Sequence, residues 1–443
     1  MNKPTGMRAF MIVWFGQLVS LLGSAMTQFA LTIWAYEVTG SATALALVAF
    51  FGFGPGIIFS PIAGALVDRW NRKLVMMLSD LGAGVTTIAI FLLYSTGNLQ
   101  IWHLYIAGII SGIFNTFQWP AYSAAISTML PKEQYARANG LLGLAESVSG
   151  VFAPIFATAL LAIIGISGVM AIDIITFTFA VGALLIVHVP QPEKSEAGTE
   201  GKGSLLQEAI YGFRYIRRRP SLLGLQLTFF FSNLTAAFGI TLTTPMLLAR
   251  TNSDEVTLAT VQSFGALGAV LGGILMSTWG GPKRRVHGVL MGMVLTSFFG
   301  MTLMGIGRSI VLWAAAFAVA SLTVPILNGS NQAIWQLKVA PDVQGRVFAA
   351  RRMIAQVAGP VSMLLAGPLA DQIFEPAMRE GGSLAPIFGG LVGTGPGAGM
   401  GLICVIFGTL GVLVGLVGYA FRVVRDAEDL LPDHGAEAVP AGS

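Results

Sequence analysis

The chain has 443 residues, 54% hydrophobic and 10% charged, with a mean hydropathy of +0.75 and a formal net charge of +4. Soluble domains carry roughly 25% charged residues, so water cannot clothe this surface and lipid must cover most of it. The basic balance does not point to nucleic acid, because Lys and Arg gather in short loops between apolar runs.

A bilayer core asks for roughly 20 apolar residues per helix. In chain order the sequence offers spans near 9–36, 41–66, 74–95, 101–129, 139–163 and 166–188, then 221–249, 256–279, 286–306, 309–337, 348–373 and 397–421. The first is too long for a signal-peptide core of about 7–15 residues and reads as a retained span. With the N-terminus placed in the cytoplasm, 22 of the 25 Lys and Arg fall on the inside, and only Arg250, Arg308 and Arg379 fall outside. A missed span would invert every later loop and scramble that split. The expectation is an all-α membrane protein of twelve transmembrane helices, multi-pass in a plasma membrane (bacterial inner membrane), with both termini cytoplasmic. It divides into an N-terminal six-helix half (1–190), a cytoplasmic linker (191–220), a C-terminal six-helix half (221–422) and a cytoplasmic tail (423–443).

Residues 191–204, QPEKSEAGTEGKGS, read as a polar, disordered linker. After it Leu205, Leu206, Ala209, Ile210, Phe213 and Ile216 recur at helical spacing beside Arg214 and Arg217–Arg219. That pattern fits an interfacial helix on the inner leaflet, or a charged lead-in to span seven.

The two halves echo each other. GALVDRWNRK (64–73) follows span two and GILMSTWGGPKRR (273–285) follows span eight, with Gly64 matched by Gly273 and Trp70 by Trp279. MLPKEQYAR (129–137) is matched by VAPDVQGR (339–346). Such repetition is the mark of transporters built from parallel six-helix halves.

GALVDRWNRK resembles the loop motif of the major facilitator superfamily through Gly64, Asp68, Arg69, Arg72 and Lys73. The resemblance covers essentially the whole chain. It implies the major facilitator fold, two pseudo-symmetric halves that alternate access, and a conformational latch at this loop. In the C-terminal copy the acidic position aligns with Ser277, so only the first copy is expected to work as the latch. Segments 29–48, 135–142, 212–225 and 344–356 are similar to the branch that contains macrolide efflux pumps and the enterobactin exporter. The antiporter motif is partial: Gly150 and Pro154 stand in SGVFAPIFAT, with Ala153 and Ala157 where glycines are usual. The glycine-rich segment 381–401 falls outside the general pattern.

Asp68 should bind a charge or a helix N-terminus of the other half, with Arg351 and Arg352 as partners. Local pairing with Arg69 or Arg72 is the alternative. Three acids lie within spans: Asp80, Glu146 and Asp173. Intramembrane acids are costly unless paired, protonated or hydrated, which makes all three proton-coupling candidates, Glu146 first. Asp80, near Arg72 and Lys73, could instead belong to the latch. No basic residue is expected at their depth.

In the resembling fold, spans one, four, seven and ten line the substrate cavity. Their polar residues include Gln17, Ser24, Gln28, Asn115, Gln118, Gln226, Asn233, Asn328, Asn331 and Gln332. These either touch ligand or serve as hydrogen bonds between helices. With aromatics such as Trp34, Trp119 and Trp335 they suggest a cavity without fixed charge, suited to large amphipathic ligands.

The single cysteine, Cys404, excludes an intrachain disulfide. Four scattered histidines offer no metal set, and no GxxxxGK[ST], HExxH or GxSxG motif is present. The reading is a monomeric, non-enzymatic secondary transporter without cofactor, whose partners are a small molecule, protons and the bilayer. It exports a drug, a macrolide-like compound or a siderophore by proton antiport. The alternatives are an uptake carrier or facilitator of the same fold, or a membrane-embedded lipid-handling protein or sensor.

Overall fold

The structure, a computed structural model, describes residues 4–39, 42–192, 204–252 and 254–434. The polar run at 193–203 lies outside the described residues.

The described chain is helical throughout. The first helices are α1 (Gly6–Thr39), α2 (Ala42–Arg69), α3 (Arg72–Ser95), α4 (Ile101–Met129) and α5 (Tyr135–Ile186). Next come α6 (Leu205–Arg217), α7 (Pro220–Arg250), α8 (Glu255–Trp279), α9 (Arg285–Ser297) and α10 (Ile310–Lys338). The last are α11 (Gln344–Gln356), α12 (Ala358–Pro368), the short α13 (Ala385–Val392) and α14 (Ala398–Ala420).

Among the described residues nine helices are long and apolar enough to cross a membrane. One of them covers Lys132–Ile186 and holds sequence spans five and six, because the chain folds back at Gly165. Gly165 has φ +65° and ψ −176°, a conformation open essentially to glycine alone. Span four (α4) carries His103, Asn115 and Gln118, which lower its hydropathy. Span eleven is divided among α11, α12 and a π turn over Leu369–Phe374. The nine therefore expand to the twelve spans expected.

Local chemistry explains several helix ends. Asn71 accepts from the Leu74 N–H and starts α3. Asp254 starts α8 by accepting from the Thr257 hydroxyl and the Val256 N–H, and these bonds hold its carboxyl below the usual carboxylate range. Lys73 donates to the carbonyls of Leu185 (3.1 Å) and Val187 (2.8 Å), satisfying the C-terminus of α5.

The chain forms two compact units. The first comprises Met1–Ala138, Ala145–Ile216 and Val339–Met353; the second comprises Asn139–Leu144, Arg217–Lys338 and Ile354–Ser443. Each takes in a short segment from the opposite half of the sequence. In the first unit Ala153 and Ala157, the replaced glycines of the antiporter motif, are buried against Met26 and Ala30. The helix α6 belongs to this unit, and buries Glu208, Ala209, Tyr211 and Tyr215 while Ile210 is exposed. In the second unit Arg250 organises the glycine-rich segment, donating to the carbonyls of Gly307 (2.8 Å), Val392 (3.1 Å) and Gly397 (3.2 Å). Arg308 holds Gly390 at 3.0 Å.

The fold-back at Gly165 gives a direct test. Gly165→Ala should destabilise the protein by about 1–3 kcal/mol, because an L side chain is strained there. Gly182→Ala, in ordinary helical conformation with open space around its Cβ position, should be neutral or stabilising by about 0.5–1 kcal/mol. Chemical unfolding in detergent micelles reads both.

Candidate functional site

The first unit holds an open cavity of about 480 Å³. Gln17, Ser24 and Gln28 recur every four or seven residues along α1 and so present one face to it. Asp80 and Thr87 do the same on α3, and Ser111, Asn115 and Gln118 on α4. Asp173 enters from the second arm of α5. Small residues allow the helices to close around it: a Cβ on Gly112 would collide with the carbonyl of Gly52.

Two carboxylates anchor the polar network. Asp80 accepts from Gln17 Nε2 at 2.7 Å and Gln118 Nε2 at 3.0 Å, and Gln118 Nε2 also reaches Gln17 Oε1 at 3.0 Å. Asp173 accepts from the hydroxyls of Ser24 (2.9 Å) and Thr87 (3.2 Å). Among the described residues no Lys, Arg or His lines the cavity.

This corrects one expectation. Asp80 does not join Arg72 and Lys73 at the loop, because its carboxylate is occupied by amides of α1 and α4. Glu146 stands apart from that cavity, and Arg352 is its electrostatic partner.

A second constellation lies where α2 ends. Asp68 accepts from the backbone N–H of Gly345 (2.7 Å) and Arg346 (2.9 Å) and from Arg346 Nε (3.1 Å). Gly345 and Arg346 open α11, so Asp68 caps that helix and pairs with a charge at the same time. The side chains are 2% and 4% exposed, which puts the pair among buried ones. Gly64 makes the approach possible, since a Cβ there would strike the Gly345 carbonyl and the Ala349 side chain.

The expected partners, Arg351 and Arg352, lie more than a turn further along α11. Arg351 is buried, and the Arg352 guanidinium stands 5.4 Å over the Trp119 ring. Arg72 is 1% exposed and donates to the carbonyls of Ala124 (2.8 Å) and Pro341. Arg69 pairs with Glu208 of α6 at 2.7 Å, and Tyr211 of α6 lies 4.9 Å under the Arg346 guanidinium. Nothing in the hydropathy pattern marks Glu208 as a partner of Arg69.

The amides of the second unit are placed differently. Gln226, Asn331 and Gln332 are buried, Asn233 is half-buried and Asn328 is exposed, and none of the five lines the cavity described above. Gln336 accepts from Asn139 at 2.7 Å, a contact between helices.

A family model described as Major Facilitator Superfamily matches residues 13–363. The chain belongs to this superfamily. It is 27% identical over 376 residues to macrolide efflux protein A of Streptococcus pyogenes, covering 82% of this chain and 90% of that protein. It is 27% identical over 382 residues to the multidrug efflux pump Tap of Mycolicibacterium fortuitum, covering 82% and 89%. It is 23% identical over 343 residues to the enterobactin exporter EntS of Shigella flexneri, covering 76% of this chain and 79% of that one. A crystal structure of a bacterial homologue of the iron transporter ferroportin shares the fold, with a TM-score of 0.66 at 13% identity, covering 93% and 99%. This superfamily member is thus a multi-pass membrane transporter, and the three relatives just named are efflux proteins or exporters.

The Asp68–Arg346 contact should behave as a buried, charge-assisted pair. A double-mutant cycle with Asp68→Asn and Arg346→Gln should give a coupling of about 1.5–3 kcal/mol in unfolding free energy. A coupling near zero would place the pair with solvent-screened ones.

Proposed function

We propose that the chain exports an amphipathic, weakly basic small molecule across a bacterial inner membrane by alternating access, driven by proton antiport. The observation that carries this reading is the first-unit cavity. Two carboxylates stand there among neutral amides and hydroxyls, with no cation in the lining. A carboxylate at membrane depth is relieved either by a proton or by a positively charged ligand. One site can therefore exchange the two, which is what antiport requires. A volume of about 480 Å³ suits a small-molecule site. The acids disfavour an anionic ligand, so a weakly basic drug or macrolide-like compound fits better than an anionic siderophore. The names of the efflux relatives support export over uptake.

In this reading Asp80 and Asp173 carry protons and meet the ligand, and Glu146, paired electrostatically with Arg352, is secondary. Gln17, Ser24, Gln28, Asn115 and Gln118 orient the ligand. Asp68 and Arg346 form the latch, with Gly64, Arg72 and Lys73 holding its frame. Both termini lie in the cytoplasm, and the unit of transport is the monomer.

Proteoliposomes with an imposed pH gradient and a fluorescent weak-base dye test it. Asp173→Asn and Asp80→Asn should each cut gradient-driven flux by at least roughly tenfold, the scale of removing an essential protonatable group. Dye binding should survive in at least one of them. Full gradient-driven flux in the double variant would remove the cavity carboxylates from the coupling, and equal flux without a gradient would remove antiport.

A further inference from the structure

The second copy of the loop motif has kept its bases, Lys283, Arg284 and Arg285, but has Ser277 where the first has Asp68. In the second unit the missing acid is replaced from the chain's own tail. Arg284 pairs with Asp429 at 2.5 Å and with Asp426 at 3.3 Å, and Arg285 stands 3.7 Å from Glu428. The other Glu428 oxygen accepts from the Val286 N–H at 2.9 Å. Arg284, the residue before α9, makes no side-chain cap of its own, so Glu428 caps α9 from the tail.

The same tail grips the end of α10. Lys338, 7% exposed, donates to the carbonyls of Glu428 and Leu431 and pairs with Asp433 at 2.8 Å. An ammonium has three protons to donate, and three acceptors are present. The His434 N–H also donates to the Leu337 carbonyl at 2.9 Å. Residues 426–434 therefore tie the start of α9 to the end of α10.

The position of Lys338 gives this strap its consequence. Lys338 is the last residue of the second unit's Arg217–Lys338 segment, and Val339–Met353, which carries Gly345 and Arg346, belongs to the first. We propose that Lys338 and the tail acids Glu428 and Asp433 are positioning residues for the latch: they fix the root of the segment that presents Gly345 and Arg346 to Asp68. This rests on the reading of Asp68–Arg346 as a latch. The strap replaces the carboxylate lost at Ser277 with one the chain brings back from its end.

A cysteine reporter tests it. The native Cys404 is 1% exposed and is changed to alanine. Ser60, 2% exposed and hydrogen-bonded to the Ala349 carbonyl at 3.4 Å, lies beneath the latch segment, and Ser60→Cys reports when that segment lifts. Everted membrane vesicles containing the full-length exporter are labelled with a membrane-impermeant maleimide. Asp68→Asn should speed labelling roughly tenfold, the ratio that about 1.4 kcal/mol of lost charge-assisted hydrogen bonding produces. Lys338→Ala should speed it comparably, with its thermal midpoint near the parent's, and Lys338→Arg should stay near the parent rate. The milder pair Glu428→Gln with Asp433→Asn should move labelling in the same direction even where Lys338→Ala folds poorly. If Asp68→Asn speeds labelling while Lys338→Ala and the tail pair do not, the strap proposal is overturned and the latch reading stands. If Asp68→Asn changes nothing, the latch reading fails and the strap proposal falls with it.

Discussion

Hydrocarbon offers no hydrogen bonds, so every charge and amide within these helices must find its partner inside the protein. Asp68 shows how strict that demand is. Its two oxygens take three donors from two consecutive residues, Gly345 and Arg346. Two of those donors are the free N–H groups that any helix start presents. The same carboxylate thus neutralises an arginine and completes a helix, and neither need is met by water. Gly64 and Gly345 are part of the device, because the oxygen can reach the backbone only where side chains are missing. Arg72 is governed by the same constraint: at 1% exposure its guanidinium is held by carbonyls at the ends of other segments.

The twelve spans were legible because charge and length act over long stretches of chain. Basic residues gathered between and at the ends of apolar runs leave little freedom to place a span wrongly. The fold-back at Gly165 was legible as a gap between two apolar runs, although its geometry was not. The latch motif was legible as a pattern, but its partner was not. Arg346, Arg351 and Arg352 all sit on α11, and composition does not rank them. Position does: only Arg346 lies in the first turn, where the backbone donors are free. Glu208 was invisible for a related reason, since an acid on an amphipathic helix reads as solvated until something basic covers it.

The cavity was half legible. Gln17, Ser24 and Gln28 repeat with helical spacing, and that stripe signals a shared face. Asp80 was misread by its nearness in sequence to Arg72 and Lys73, whereas two turns of helix carry it away from them toward Gln17 and Gln118. In the second unit the same kinds of amide occur in α7 and α10, yet Gln336 is spent on Asn139. A buried amide costs about the same to leave unpaired whether its partner is a ligand or a neighbouring helix. Sequence therefore locates such residues without saying which of the two they serve.

That ambiguity bears on how the two repeats have come to differ. In the first unit the loop acid is kept at Asp68, and two further acids, Asp80 and Asp173, stand in a cavity. In the second the loop acid is Ser277, approached by Gly140 as Asp68 is approached by Gly345. A hydroxyl in that place can pack but cannot hold a charge, and Arg137, the matching arginine, is exposed. The bases left behind still need counter-charges, and Asp426, Glu428 and Asp429 provide them from the tail. Acids at the loop and in a cavity thus belong to the first unit, while in the second the described loop bases Arg284 and Arg285 are held by acids of the tail. A pair of repeats with identical electrostatics would have two equal latches. Among the described residues the loop carboxylate capping a helix start is seen in the first copy, where Asp68 meets α11, and in the proposed reading that is where a conformational bias acts.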